Sequence, residues 1–118
     1  MKIAAIQMVS GTDVTANLAT ARHLLERAAE QGAELAVLPE YFCLMGHRDA
    51  DKLVCAERLG DGPIQAMLQA SARELGLWIV GGTLPLITEQ ENRVANAVLV
   101  FDPAGNRVTR YDKIHLFR

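Results

Sequence analysis

Apolar positions along this chain fall into short continuous runs separated by amphipathic stretches, and the two patterns alternate. Ile3 to Val9 is apolar except for Gln7, which predicts a buried strand. From Val14 to Gln31 the spacing turns helical. Leu18, Ala21, Leu25 and Ala28 share one stripe, while Arg22, Glu26 and Glu30 lie largely opposite. Asp13 is placed to cap this helix and Gly32 to close it in the left-handed conformation. Leu35 to Leu38 then predicts a second buried strand, stopped by Pro39. Strand, helix and strand in this span form one right-handed βαβ unit.

Residues 41–61 are irregular and mixed in polarity, with a short helix expected around Ala50–Arg58. A second helix opens at Gly62-Pro63, carries Ile64, Met67, Leu68, Ala72 and Leu75 at helical spacing, and ends at Gly76. Leu77 to Leu84 predicts a third strand, with Gly81-Gly82 near its end. Thr88 to Arg93 reads as a charged connector. Val94 to Phe101 predicts a fourth strand, Asp102 to Asn106 a turn, and Arg107 to Tyr111 a fifth strand. The class is α/β. Near-continuous apolar strands want cover on both sheet faces. With helices 14–31 and 63–76 on one face, the other face calls for a partner layer that these residues do not supply.

Composition narrows the function. A chain of 118 residues has room for one small domain, and 50% hydrophobic with 22% charged residues is the balance of a globular protein. The formal net charge of -2, with no Lys/Arg run, argues against a nucleic-acid surface. No apolar stretch is long enough to span a membrane and no signal peptide is apparent, so the expected setting is cytoplasmic, with Cys43 and Cys55 as reduced thiols.

Two charged groups stand where strands should end. Glu40 follows Leu35–Leu38, and ligands of open α/β sheets bind beyond the carboxyl ends of strands. Between Leu38-Pro39 and Tyr41-Phe42, its carboxylate is expected to be desolvated and suited to general-base work. Bonding to backbone N–H groups or a basic neighbour is the structural alternative. Lys113 follows Arg107–Tyr111 and could stabilise a developing oxyanion, or simply be solvated. Cys43 lies close to Glu40 and could act as a nucleophile, but a cysteine in apolar sequence is more often a small buried hydrophobe. Cys55 has less claim. His115, beside Lys113, reads as a loop hydrogen-bonding residue. His23, His47 and His115 are dispersed and no CxxC occurs, so no metal site is expected. Gly81-Gly82 fits no phosphate loop; it reads as a site of close backbone packing.

Four segments carry a resemblance: Lys2-Ile3-Ala4-Ala5-Ile6-Gln7-Met8, Leu35 to Glu40, Gly81-Gly82-Thr83, and Arg110-Tyr111-Asp112-Lys113-Ile114-His115-Leu116-Phe117. In this order and spacing they resemble the N-terminal part of the carbon–nitrogen hydrolase family, the nitrilase superfamily. Phe42-Cys43-Leu44-Met45-Gly46 and Gly82-Thr83-Leu84-Pro85 look most like its deaminated-glutathione amidase and ω-amidase-like branch. The resemblance implies that residues 1–118 form the N-terminal portion of a single α-β-β-α sandwich domain, incomplete in this chain. It also implies a Glu-Lys-Cys triad, with Glu40 as general base and Lys113 stabilising the tetrahedral intermediate. The family's cysteine lies well beyond its lysine, on a strand-to-helix elbow past Arg118, and attacks an amide-type carbon to give a thioester that water hydrolyses. A small-molecule amide substrate and a homo-oligomer are implied, with no cofactor.

Three functions follow. The chain is part of an amidohydrolase whose nucleophile lies beyond it. Alternatively it is a catalytically silent module that self-associates or binds a homologue, since without the nucleophile these residues alone are expected to be inactive. The third is an independent small enzyme using Cys43 with Glu40.

Overall fold

Among the described residues the alternating pattern resolves into seven elements: β1 (Ile3–Ala5), α1 (Val14–Glu30), β2 (Leu35–Val37), α2 (Pro63–Leu75), β3 (Trp78–Ile87), β4 (Val94–Phe101) and β5 (Arg107–Asp112). The computed structural model describes residues 1–44, 55–89 and 93–113. One mixed sheet runs in the order β1-β2-β3-β4-β5. The first three strands are parallel and the last three form an antiparallel meander. Because both parallel crossovers advance in the same direction, right-handedness puts α1 and α2 on one face, where they pack on each other.

The core lies between these helices and the sheet. Ala21 and Leu25 of α1 and Ile64, Leu68 and Ala72 of α2 meet Ala36, Ile79, Leu99 and Phe101 of the sheet. Strand alternation sends the intervening side chains to the other face. There the register lines up Ile3, Leu35 and Trp78 in one row and Val37, Val80 and Val100 in the next. Ile3 is 61% and Tyr111 62% exposed. No described element covers this face, as the excess of apolar strand surface implies.

Element ends differ from the sequence pattern for identifiable reasons. The first strand ends at Ala5 rather than Val9. Ile6 still donates to the Val37 carbonyl (2.9 Å), but the next ladder bond would come from Pro39, which has no N–H. The third strand instead runs on through Pro85 to Ile87, with a register shift between Gly81 and Leu84. Pro85 is tolerated because that side of β3 lies beyond the end of β2, where among the described residues Glu57 pairs, donating its N–H to the Pro85 carbonyl (3.1 Å). The fifth strand extends one residue further, to Asp112. The helix expected around Ala50–Arg58 falls largely outside the described residues. At its end, Glu57 and Arg58 form β-bridges instead.

Helix ends follow the expected chemistry. The Asp13 side chain accepts from the Ala16 N–H (3.2 Å), and Gly32 has φ 86°. Helix α2 starts at Pro63 and ends at Gly76, whose φ is 65°. Its N-cap, Gly62, has no side chain to offer. The buried Glu57 carboxylate takes that place, accepting from the N–H groups of Ile64 (2.6 Å) and Gln65 (3.1 Å) and from Gln65 Nε2 (3.0 Å). A Cβ at position 62 would lie 2.3 Å from Glu57 Cδ, so glycine there makes room for the cap. Replacing Glu57 by Ala leaves two buried helix donors unsatisfied. We expect it to lower unfolding free energy by about 1–3 kcal/mol in urea titration, against less than ~0.5 kcal/mol for Glu30→Ala on the exposed helix face.

Candidate active site

Glu40 is delivered by the end of β2. The Leu38 N–H still bonds the Val80 carbonyl (3.0 Å), and Pro39 then takes the chain out of the sheet. At this point β3 approaches closely: a Cβ on Gly82 would lie 2.0 Å from the Pro39 carbonyl oxygen, inside any possible contact. Tyr41 follows at φ 53°, a left-handed conformation that a bulky residue adopts at a cost. Its N–H donates to Oγ1 of the buried Thr83 (2.9 Å). The reversal drives Phe42 into the core, where it is fully buried.

The following carbonyls are held as well. Ser10 Oγ donates to the Phe42 carbonyl (2.9 Å). Asn17 Nδ2 donates to the carbonyls of Cys43 (2.8 Å) and Gly11 (2.9 Å). Glu40 is therefore flanked by fixed backbone on both sides.

Lys113 arrives from the opposite edge. Its N–H bonds the Asn96 carbonyl (2.8 Å), extending the β4–β5 pairing one residue past Asp112. Its ammonium donates to Glu40 Oε1 in a direct ion pair across 73 sequence positions. Its neighbour Asp112 is engaged elsewhere, accepting two bonds from Arg110 (2.7 and 3.1 Å), which leaves the ammonium to Glu40. The hydrogen bond to Glu40 holds the Lys113 ammonium above its ordinary range, outweighing the opposing effect of desolvation.

The two strand-end charges thus come together, but at an open rim. The Glu40 side chain is 58% and that of Lys113 33% exposed. Desolvation of Glu40 was expected from its apolar neighbours. Instead Leu38 and Phe42 point into the core, and no described side chain covers the carboxylate from the solvent side. Two cavities, of about 490 and 210 Å³, lie near the start of α2, and neither is lined by Glu40 or Lys113. Among the described residues no three His, Cys, Asp or Glu side chains gather as a metal site.

Cys43 lies within the core and has no exposed surface. Burial, reinforced by Cys55 nearby, pushes its thiol up to about 12, so no thiolate is available near neutral pH. His115 lies outside the described residues. Sequence reasoning passed over Thr83 and Asn17 as supports of this loop. Asn17 carried a signal: it stands one helical turn before Ala21 and two before Leu25 on the apolar stripe of α1, and an amide buried there needs partners.

A family model described as carbon-nitrogen hydrolase matches residues 2–118. A deaminated glutathione amidase from Yersinia enterocolitica is 34% identical over 98% of this chain and 40% of its own length. The C. elegans NitFhit structure superimposes with a TM-score of 0.87 at 29% identity, covering 98% of this chain and 28% of that one. A glutamate-to-glutamine variant of the amidase from Nesterenkonia, with acrylamide added to its active-site cysteine, matches at TM-score 0.83 and 25% identity, over 100% of this chain and 46% of that one. The chain belongs to the carbon–nitrogen hydrolase family, within the nitrilase superfamily, and is related to its amidases. Its mixed sheet with two helices has the fold of nitrilase-superfamily structures, of whose length it covers less than half. It spans about 40% of the length of the curated relatives it matches.

Two measurements check this geometry. With its folded pKa raised, Lys113 contributes stability that is full below its ordinary 10.5 and is lost as pH rises through the folded value. Side-chain NMR titration should place its deprotonation above 10.5 in the native protein, and Glu40→Gln should bring it down. Iodoacetamide near neutral pH should leave Cys43 unmodified in the folded protein and alkylate it in denaturant, as read by peptide mass; native modification would contradict its burial.

Proposed function

We propose that this chain supplies two of the three catalytic groups of an amidase acting on a small-molecule amide, as the N-terminal part of a single catalytic domain. Glu40 is the general base and Lys113 the oxyanion-stabilising cation. The nucleophile is a cysteine outside residues 1–118. The observation that carries this reading is the ion pair between Glu40 and Lys113, at two strand ends far apart in sequence. A carboxylate takes the thiol proton, and the thiolate attacks the amide carbon. The C–N bond then breaks as the protonated carboxyl group returns its proton to the leaving amine. Water activated by the same carboxylate hydrolyses the thioester. An ammonium facing the carbonyl oxygen stabilises the anion formed in both tetrahedral intermediates.

Two further facts support this assignment. The relatives matched over nearly all of this chain include amidases, and the Nesterenkonia amidase has an active-site cysteine. The reading carries with it a cytoplasmic homo-oligomer and no cofactor.

A second reading has one observation in its favour. The open sheet face, with Ile3 and Tyr111 largely exposed, suits a catalytically silent module that self-associates or binds a homologue. Amide turnover by a full-length protein that carries the cysteine beyond residue 118 separates the two. On the amidase reading, Glu40→Gln abolishes single-turnover ammonia release without unfolding the protein. Lys113→Ala lowers kcat by about 10²–10³. Wild-type ammonia release in Glu40→Gln would reject the base assignment, and an effect of Lys113→Ala on KM alone would move the lysine to substrate binding.

A further inference from the structure

The Glu40 carboxylate is exposed, so side-chain packing does not hold it; its position comes from the backbone beneath. That backbone takes a left-handed turn at Tyr41, φ 53°, which an unconstrained tyrosine would leave for the extended or helical region. Strained, non-glycine geometry next to a candidate catalytic group persists only where surrounding structure enforces it. The enforcing contact is specific: the Tyr41 N–H donates to Oγ1 of Thr83 (2.9 Å). Thr83 is 1% exposed and sits in the irregular part of β3, between Gly81 and Leu84, where the register with β4 shifts. The shift carries Thr83 to the end of β2, next to Gly82, over which the Pro39 carbonyl passes.

We propose that Thr83 is a positioning residue for Glu40: its hydroxyl pins the Tyr41 amide, fixes the left-handed turn, and so aims the Glu40 carboxylate at Lys113. This inference rests on the amidase reading for its catalytic consequence and on geometry alone for its structural one. A buried hydroxyl that merely filled space would be replaced without loss by valine, which has nearly the same shape. A hydroxyl that holds the turn would be replaced by serine and not by valine.

The test compares Thr83→Val and Thr83→Ser in the complete protein. We expect Thr83→Val to lower kcat about tenfold with KM little changed, and Thr83→Ser to restore most of it. The same series read by Lys113 side-chain titration should show deprotonation at lower pH in Thr83→Val and near the wild-type pH in Thr83→Ser. Wild-type kcat and titration in Thr83→Val would overturn the assignment, as would equal losses in both variants. A titration response without amide turnover in any form leaves the positioning role standing and rejects the amidase reading. If Thr83→Val does not fold, amide hydrogen exchange of the unmodified protein decides: slow exchange at the Tyr41 N–H is expected, and exchange at the rate of a free amide rejects the pin.

Discussion

Strands β2 and β5 have two strands between them, and at the usual interstrand spacing their ends lie roughly 14 Å apart across the sheet. Their terminal charged residues nevertheless touch. The chain leaving β2 must therefore cross the end of the sheet toward β4 and β5, and the crossing is possible only because position 82 has no side chain. A single Cβ there would sit on the Pro39 carbonyl. Everything at the candidate site follows from this close approach. It brings Thr83 under Tyr41, turns Phe42 into the core, and leaves Glu40 projecting over the strands that carry Lys113.

The electrostatics suit chemistry better than stability. A half-exposed carboxylate and a partly exposed ammonium are screened by water and salt, and such pairs add little to folding free energy. What holds the site is the hydrogen-bonded frame around it: Ser10, Asn17 and Thr83 each bind backbone of residues 41–43. The charges are thus placed by the fold rather than by each other. A base that must exchange partners during a reaction is better served by that arrangement than by a buried, self-sufficient salt bridge.

Much of the architecture was legible in the apolar pattern. Helical periodicity located α1 and α2, and Asp13, Gly32, Pro63 and Gly76 marked their ends through local capping chemistry. The same pattern implied a sheet face lacking its covering layer. Glu40 and Lys113 stood out because each follows an apolar run at a strand end. Features that depend on distant partners were not legible. The early end of β1 depends on Pro39, the length of β3 on pairing at Asn96, and the α2 cap on Glu57, outside the helix. The exposure of Glu40 was misjudged for the same reason. Apolar neighbours in sequence shield a side chain only when they share its side of the backbone, and the left-handed turn at Tyr41 sends Phe42 the other way.

The family places the chain among carbon–nitrogen hydrolases, and the structure brings the two residues that the resemblance singled out into contact. That meeting is open to direct chemical examination. A water-soluble carbodiimide joins a carboxylate to an amine only where the two already touch, with loss of one water and no added spacer. Treated under native conditions and digested, the protein should yield a Glu40–Lys113 cross-linked peptide that disappears in denaturant. If both side chains are modified separately and no such peptide forms, the two groups do not meet and the account of the site fails.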